Sequence, residues 1–456
     1  MVAGPGALRA PARAVPRPRA AGFVPAALPA VLLLASLPLL RPGVFGEQFA
    51  LGGLVAALAA GVLALVRRTG HPTRPVPAAT VLGSLLAAAY LWMLGHAVFT
   101  ATPERVRDQF QDFALTVGAV TAGVIVLADP RVRRAVGRGL VLVLVVVAGL
   151  WVLTALWWAV AGVGAGQVGT VPVGTAGPQP VFFPGTISYA TSSVFGVDVP
   201  RLTGIGRESG WMAMDFAAGW FLADAVGYRA VWVKVLLLAG LVGTLSTAGF
   251  GVFVVVLAVD VFLRPRGGIG LAGMVRQLVG VAALGAAALL AVDAPVLGLA
   301  AKESSNAASL DERTDATVAG LRALSASPWG GPGTEKQAGV NLVSDIAVNG
   351  LPFVVLVAAA LLVPVLVVRR AEQAEQAGPA GPAGRSGAVA LVVFLTLLTS
   401  QPAAASTWAF LLVAVALAAD ELTPAERAAP GAAVLSGLHR RCAGRSRLVD
   451  EGGTGP

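Results

Sequence analysis

Cysteine is almost absent from this chain: Cys442 is the one copy in 456 residues. That excludes an internal disulfide and any thiolate metal site. The three histidines, His71, His96 and His439, lie too far apart to form a ligand spacing, so no metal centre is expected. Charge is the third shortage. Only 12% of residues are charged, against roughly 25% in soluble domains. In their place the chain is 56% hydrophobic. A soluble protein of this length could not bury so much apolar surface, so a membrane is expected to be the solvent for most of it.

The apolar runs predict membrane spans near Phe23–Leu40, Phe45–Val66, Val76–Phe99, Phe113–Ala128, Leu140–Ala161 and Trp211–Val226. More are predicted near Ala230–Thr244, Phe250–Leu263, Leu278–Leu297, Ile346–Val368, Ala388–Thr399 and Ala405–Ala419. A straight span takes about 20 apolar residues, and several of these are shorter. The expected fold is all-α, a polytopic integral membrane bundle of about twelve spans over 23–419. A disordered basic arm over 1–22 and a basic tail over 420–456 flank it, both cytoplasmic. The stretch Ala371–Gly387 reads as a flexible inner loop. Two long polar loops, at about 163–210 and 300–345, interrupt the apolar pattern, and Asn306–Ser325 alternates polar and apolar residues at helical spacing.

Cation placement orients this arrangement. With both termini inside a plasma membrane, Arg41, Arg105, Arg107, Arg201, Arg207, Lys302, Arg313, Arg322 and Lys336 face outward. The other twenty-four of the 33 cationic side chains fall on the cytoplasmic side, which is the bias that orients multi-span proteins. Both long loops then face outward. The net charge of +9 is accounted for by anionic lipid headgroups, with no nucleic-acid partner required.

Two glycine motifs lack their context. Gly164-Ala-Gly166-Gln-Val-Gly169 spells a dinucleotide fingerprint but leaves a membrane helix with no strand before it. Gly330 to Lys336 resembles a phosphate loop, yet its spacing is wrong and no hydroxyl residue follows the lysine. The informative stretch closes the first loop. There Arg201, Arg207 and Glu208 stand just outside the helix expected from Trp211. Guanidinium groups bind phosphate through paired hydrogen bonds, and a helix start adds backbone N–H groups and a positive dipole end. Gly204 is among the glycines that let backbone approach a bulky ligand. Asp215, one turn below Trp211, is placed to support the arginines. The same charges also fit an interfacial loop paired within itself or with lipid phosphate.

Further along, Thr244-Leu245-Ser246-Thr247-Ala248-Gly249 breaks an apolar run. Pro328-Trp329-Gly330-Gly331-Pro332-Gly333 leads to Asn341, Asp345 and Gly350. In this order the segments resemble the O-antigen polymerase and ligase superfamily of membrane glycosyltransferases. Arg201, Gly204 and Glu208 match its Arg-x-x-Gly-x-x-x-Glu segment. Thr244, Ser246, Thr247 and Gly249 resemble its Thr-x-Ser-x-x-Gly helix end, and Pro328, Gly331, Gly333 and Gly350 its Pro-x-x-Gly-x-Gly turn and glycine step. Ser209 stands where that family commonly has proline. Gly339, Val340 and Asn341 stand where its ligases carry histidine, which favours the polymerase-like branch.

The resemblance implies a metal-independent, cofactor-free enzyme that joins polyprenyl-pyrophosphate-linked oligosaccharide units at the outer leaflet. Membrane lipids are its surroundings, and a chain-length regulator or other envelope protein is a partner of the kind expected. Arg201 and Arg207 would clamp the pyrophosphate. Glu208 would either take the acceptor proton or hold Arg207. Arg322, Lys336 and Asn341 would meet sugar or phosphate, the first two being otherwise solvated loop charges. Ligase-like transfer to another acceptor, a lipid-linked glycan transporter and a non-catalytic membrane subunit remain alternatives.

Overall fold

The computed structural model describes residues 25–68, 73, 75–173, 177–263, 285, 299–331, 340–375 and 385–422. Five helices open the described chain: α1 (Ala27–Ser36), α2 (Gly46–Arg68), α3 (Pro77–Thr100), α4 (Pro103–Leu127) and α5 (Pro130–Ala161). Three of them begin at a proline, whose missing N–H is no loss at the first helical position. In α5 the preceding Asp129 also caps the helix, its carboxylate accepting from the Arg131 N–H at 2.9 Å. Helix α4 starts ten residues before the span expected at Phe113. Its first turns, Glu104 to Asp108, are too charged to be found by hydropathy, although they are helical.

The chain is not the all-α protein expected from its apolar runs, but also carries a small sheet. Residues 167–173 and 177–202 form an antiparallel sheet of β1 (Gln167–Val173), β2 (Gly177–Phe182), β3 (Thr186–Val194) and β4 (Val197–Leu202), in the order β1-β2-β3-β4. The local sequence explains it. Val168, Thr170, Val171 and Val173 favour extended backbone. Phe195 and Gly196 both take positive φ (50° and 79°) and close a two-residue hairpin in which Val194 faces Val197.

Helices α6 (Ser209–Ala225), α7 (Val231–Gly243) and α8 (Thr247–Leu263) follow, then α9 (Leu299–Ala326), α10 (Asp345–Glu375), α11 (Arg385–Thr399) and α12 (Thr407–Asp420). Asn306–Ser325 lies within α9. The span expected at Leu278–Leu297 lies outside the described residues except for Gly285, as do the basic arm and nearly all of the tail.

Among the described residues, α2, α3, α4, α5 and α10 are long and apolar enough to cross a membrane. About twelve spans were expected. The remaining apolar helices are shorter, 10–17 residues, below the length of a straight crossing. One of them sits at the centre of the bundle: every residue of α12 from Thr407 to Ala419 is buried. A helix apolar on all sides and buried on all sides is a core element.

Helix packing is close where side chains are smallest. A Cβ on Gly249 of α8 would collide with that of Ala213 in α6, so this contact requires glycine. Helix α10 breaks at Gly350 (φ 79°, ψ 163°), a backbone region open to glycine alone. The turn before it fits into this break. The Gly331 N–H donates to the Ala347 carbonyl (3.1 Å), the Leu351 N–H donates to Pro328 (2.8 Å), and the Trp92 indole N–H donates to Asn349 (2.9 Å).

Candidate functional site

The chain ends and starts of many elements meet at one end of the bundle. The α1–α2 turn, the starts of α6, α8 and α12, the end of α11 and the segment before α10 all reach the same cavity. It measures about 510 Å³, within the size of a small-molecule site. Residues from both long polar segments line it: Tyr189, Arg201, Arg207 and Glu208 from the first, Glu312 and Arg313 from the second. Arg41, Gln401, Ser209, Ser246 and Ser400 also line it. Four arginines and two glutamates are therefore among the residues that line it.

Backbone pairing sets the arginines. The Arg207 N–H donates to the Pro42 carbonyl (2.8 Å), and the Val44 N–H to the Ile205 carbonyl (2.8 Å). Gly43 and Gly206 form an antiparallel bridge between these segments. Arg41 and Arg207 are thus carried by two strands clipped side by side. Beneath them Gln179 of β2 is wholly buried. Its Nε2 donates to the Arg207 carbonyl (2.8 Å), and its Oε1 accepts from the Thr203 hydroxyl (3.0 Å). Gln179→Leu leaves two buried polar groups without that partner and is expected to destabilise the protein by about 2 kcal/mol. The measurement is thermal unfolding in detergent, and an unchanged midpoint would show that Gln179 does not secure this loop.

Arg201 is placed by β4, with its Nε donating to the Thr244 carbonyl at 3.3 Å. Burial lowers the pKa of its guanidinium, the neighbouring Arg313 lowers it further, and Glu208 raises it. Arg201 on the sheet thus feels the charges of Glu208, just before α6, and of Arg313 on α9.

Two helix N-termini face the same space. Glu208 is the residue before α6 and makes no side-chain capping bond. Ser209, Gly210 and Trp211, which begin α6, line the cavity, and the first N–H groups of a helix have no partner within it. Ser246 precedes α8 and caps it through its hydroxyl, which accepts from the Gly249 N–H at 3.3 Å. Leu245 takes positive φ (49°) to turn the chain here. Ser246 and Ala248 line the cavity.

The remaining expected site residues lie elsewhere. Gly204, at φ 53°, packs tightly against Val147 and Met212 and does not line the cavity. Asp215 is buried in the bundle away from it, and its Oδ1 has no hydrogen-bond partner among the described residues. Asn341 is buried in a joint between α9 and α10, donating to the Thr317 hydroxyl (2.8 Å) and accepting from the Ser344 N–H (2.8 Å). Arg322 is exposed on α9 and outside the cavity. Lys336 lies outside the described residues. Conversely, Arg41, Glu312, Arg313 and Gln401 were not singled out from the sequence as site residues. Among the described residues no three His, Cys, Asp or Glu side chains come together as a metal-holding group.

The fold and cavity together define a membrane protein whose polar site is walled by arginines and helix starts. No protein-family pattern matches the chain, and no curated protein does either.

Proposed function

We propose that the chain is a multi-pass plasma-membrane glycosyltransferase, with both termini cytoplasmic, that polymerises polyprenyl-pyrophosphate-linked glycan units at the outer leaflet. One observation carries this reading. Four arginines and two helix N-termini surround a single cavity at the end of the bundle where both polar segments meet. Such an arrangement suits a large anion held near a lipid surface.

The chemistry follows from that charge. The acceptor sugar hydroxyl attacks the anomeric carbon of the donor, forming a new C–O bond. The bond from that carbon to the phosphate oxygen breaks, and its electron pair leaves with the lipid pyrophosphate. Arg201 and Arg207 balance the charge that develops on the leaving oxygen. Glu208, which lines the cavity and does not cap its helix, receives the hydroxyl proton. The base and one clamp arginine, Arg207, are adjacent in sequence, so the segment just before α6 carries both.

Vesicles containing the protein and its host's lipid-linked glycan precursor test the proposal. A ladder of products of increasing length is expected. A single added unit would point to ligase-like transfer. No product, with precursor verified on the outer face, would overturn the glycosyltransferase reading.

A further inference from the structure

Arg41 lies 160 residues before Arg201 and outside both polar segments, yet it lines the same cavity. Its backbone is held from two sides. The Trp408 N–H donates to its carbonyl at 2.9 Å, and the next residues pair with 205–207 through the Gly43–Gly206 bridge. Its side chain is held from a third. Nη1 meets Asp112 Oδ1 of α4 at 2.6 Å, with both side chains largely buried (25% and 15% exposed). The guanidinium has five donors in a rigid fork, and one of them, Nε, is buried without a hydrogen-bond partner among the described residues. An arginine needed only to neutralise Asp112 would not have to stand in the wall of a cavity beside Arg207. Asp112 does not line that wall.

We infer that Arg41 is a further anion-binding residue of this cavity, with Asp112 as the fixed counter-ion that orients its guanidinium toward a bound diphosphate. It completes a cradle with Arg207, to which it is clipped through the backbone, and faces the Arg201–Arg313 side. The inference rests on the proposed function for the identity of the natural ligand, a lipid pyrophosphate. The cradle's chemistry alone requires only a diphosphate.

The test is titration of inorganic pyrophosphate against the purified protein in lipid nanodiscs, read by calorimetry, together with the ladder assay. Arg41→Gln alone leaves Asp112 buried and unpaired, which could unfold the protein. The double variant Arg41→Gln/Asp112→Asn removes the pair as a unit and keeps the fold testable. Both variants are expected to bind pyrophosphate about tenfold more weakly than wild type or worse. Arg107→Gln, exposed on α4 and outside the cavity, leaves binding unchanged. If the double variant regains wild-type affinity, Arg41 serves only to neutralise Asp112 and the inference fails. It also fails if wild type does not bind pyrophosphate. Wild type that binds pyrophosphate with Arg41-dependent affinity but forms no polymer would overturn the glycosyltransferase reading and leave this inference standing. Polymer formation indifferent to Arg41, with equal affinity, would do the reverse.

Discussion

Arg201→Lys is expected to keep part of the proposed polymerising activity at neutral pH and to lose it as pH rises, while Arg201→Ala loses about 10²–10³-fold throughout. The difference comes from where the charge sits. Burial and the nearby Arg313 both lower the pKa of the group at this position. Arginine begins so high that it stays protonated regardless. A lysine begins at about 10.4 and is lowered by the same two causes. A cation with a lowered pKa gives up its proton at a lower pH, so the lysine's hold on an anion weakens as pH rises through that value. KM for the lipid-linked donor should climb with pH in Arg201→Lys and stay flat in wild type. Parallel pH profiles for the two proteins would sink the clamp role of Arg201. Lysine also cannot reproduce the forked donor set that bonds the Thr244 carbonyl while facing the cavity, so full activity is not expected at any pH.

Gly350→Ala is expected to lower stability by about 2–4 kcal/mol. Its φ of 79° with ψ of 163° is strained for any residue with a Cβ, and the added carbon would strike the Trp329 carbonyl. Relief of that clash requires the 328–331 turn to move away, breaking the hydrogen bonds at Leu351 and Gly331. Gly251→Ala provides the contrast. A Cβ there meets nothing within 4 Å and the site lies inside α8, so a neutral or slightly stabilising change is expected. Thermal unfolding of the two variants in the same detergent decides the matter. Equal midpoints would mean that the break in α10 is not held by glycine geometry.

Hydrophobic runs made most helices legible because a buried or lipid-facing helix advertises itself by composition. The ends of α2, α3, α6 and α7 fall within a few residues of the spans expected. The sheet was hidden for the opposite reason. Its strands are short, half-exposed and broken by Pro172, Pro178, Pro180 and Pro200, so alternation never builds into a clear period. Arg201, Arg207 and Glu208 could be picked out because they crowd one helix start. Arg41 could not, since its place beside Arg207 depends on a backbone bridge between residues far apart in sequence. Arg313 and Arg322 show the same limit on a single helix. They are nine residues apart, about half a turn out of phase at 3.6 residues per turn, and only Arg313 faces the cavity. The glycine step at 350 was visible as a motif, but its use is mechanical: it receives the Trp329 turn.

The bond from the Trp408 N–H to the Arg41 carbonyl has a bearing on the order of synthesis. Arg41 emerges from the ribosome among the first residues described and Trp408 among the last. Gln401 and Pro402, which also wall the cavity, come equally late. A nascent chain therefore carries its arginines through insertion without the arrangement that gathers them. Gln401, Pro402 and Ala405, between α11 and α12, belong to the wall, so the wall is complete only once this late segment is in place. A chain cut short before this segment is expected to lack the complete wall of the cavity.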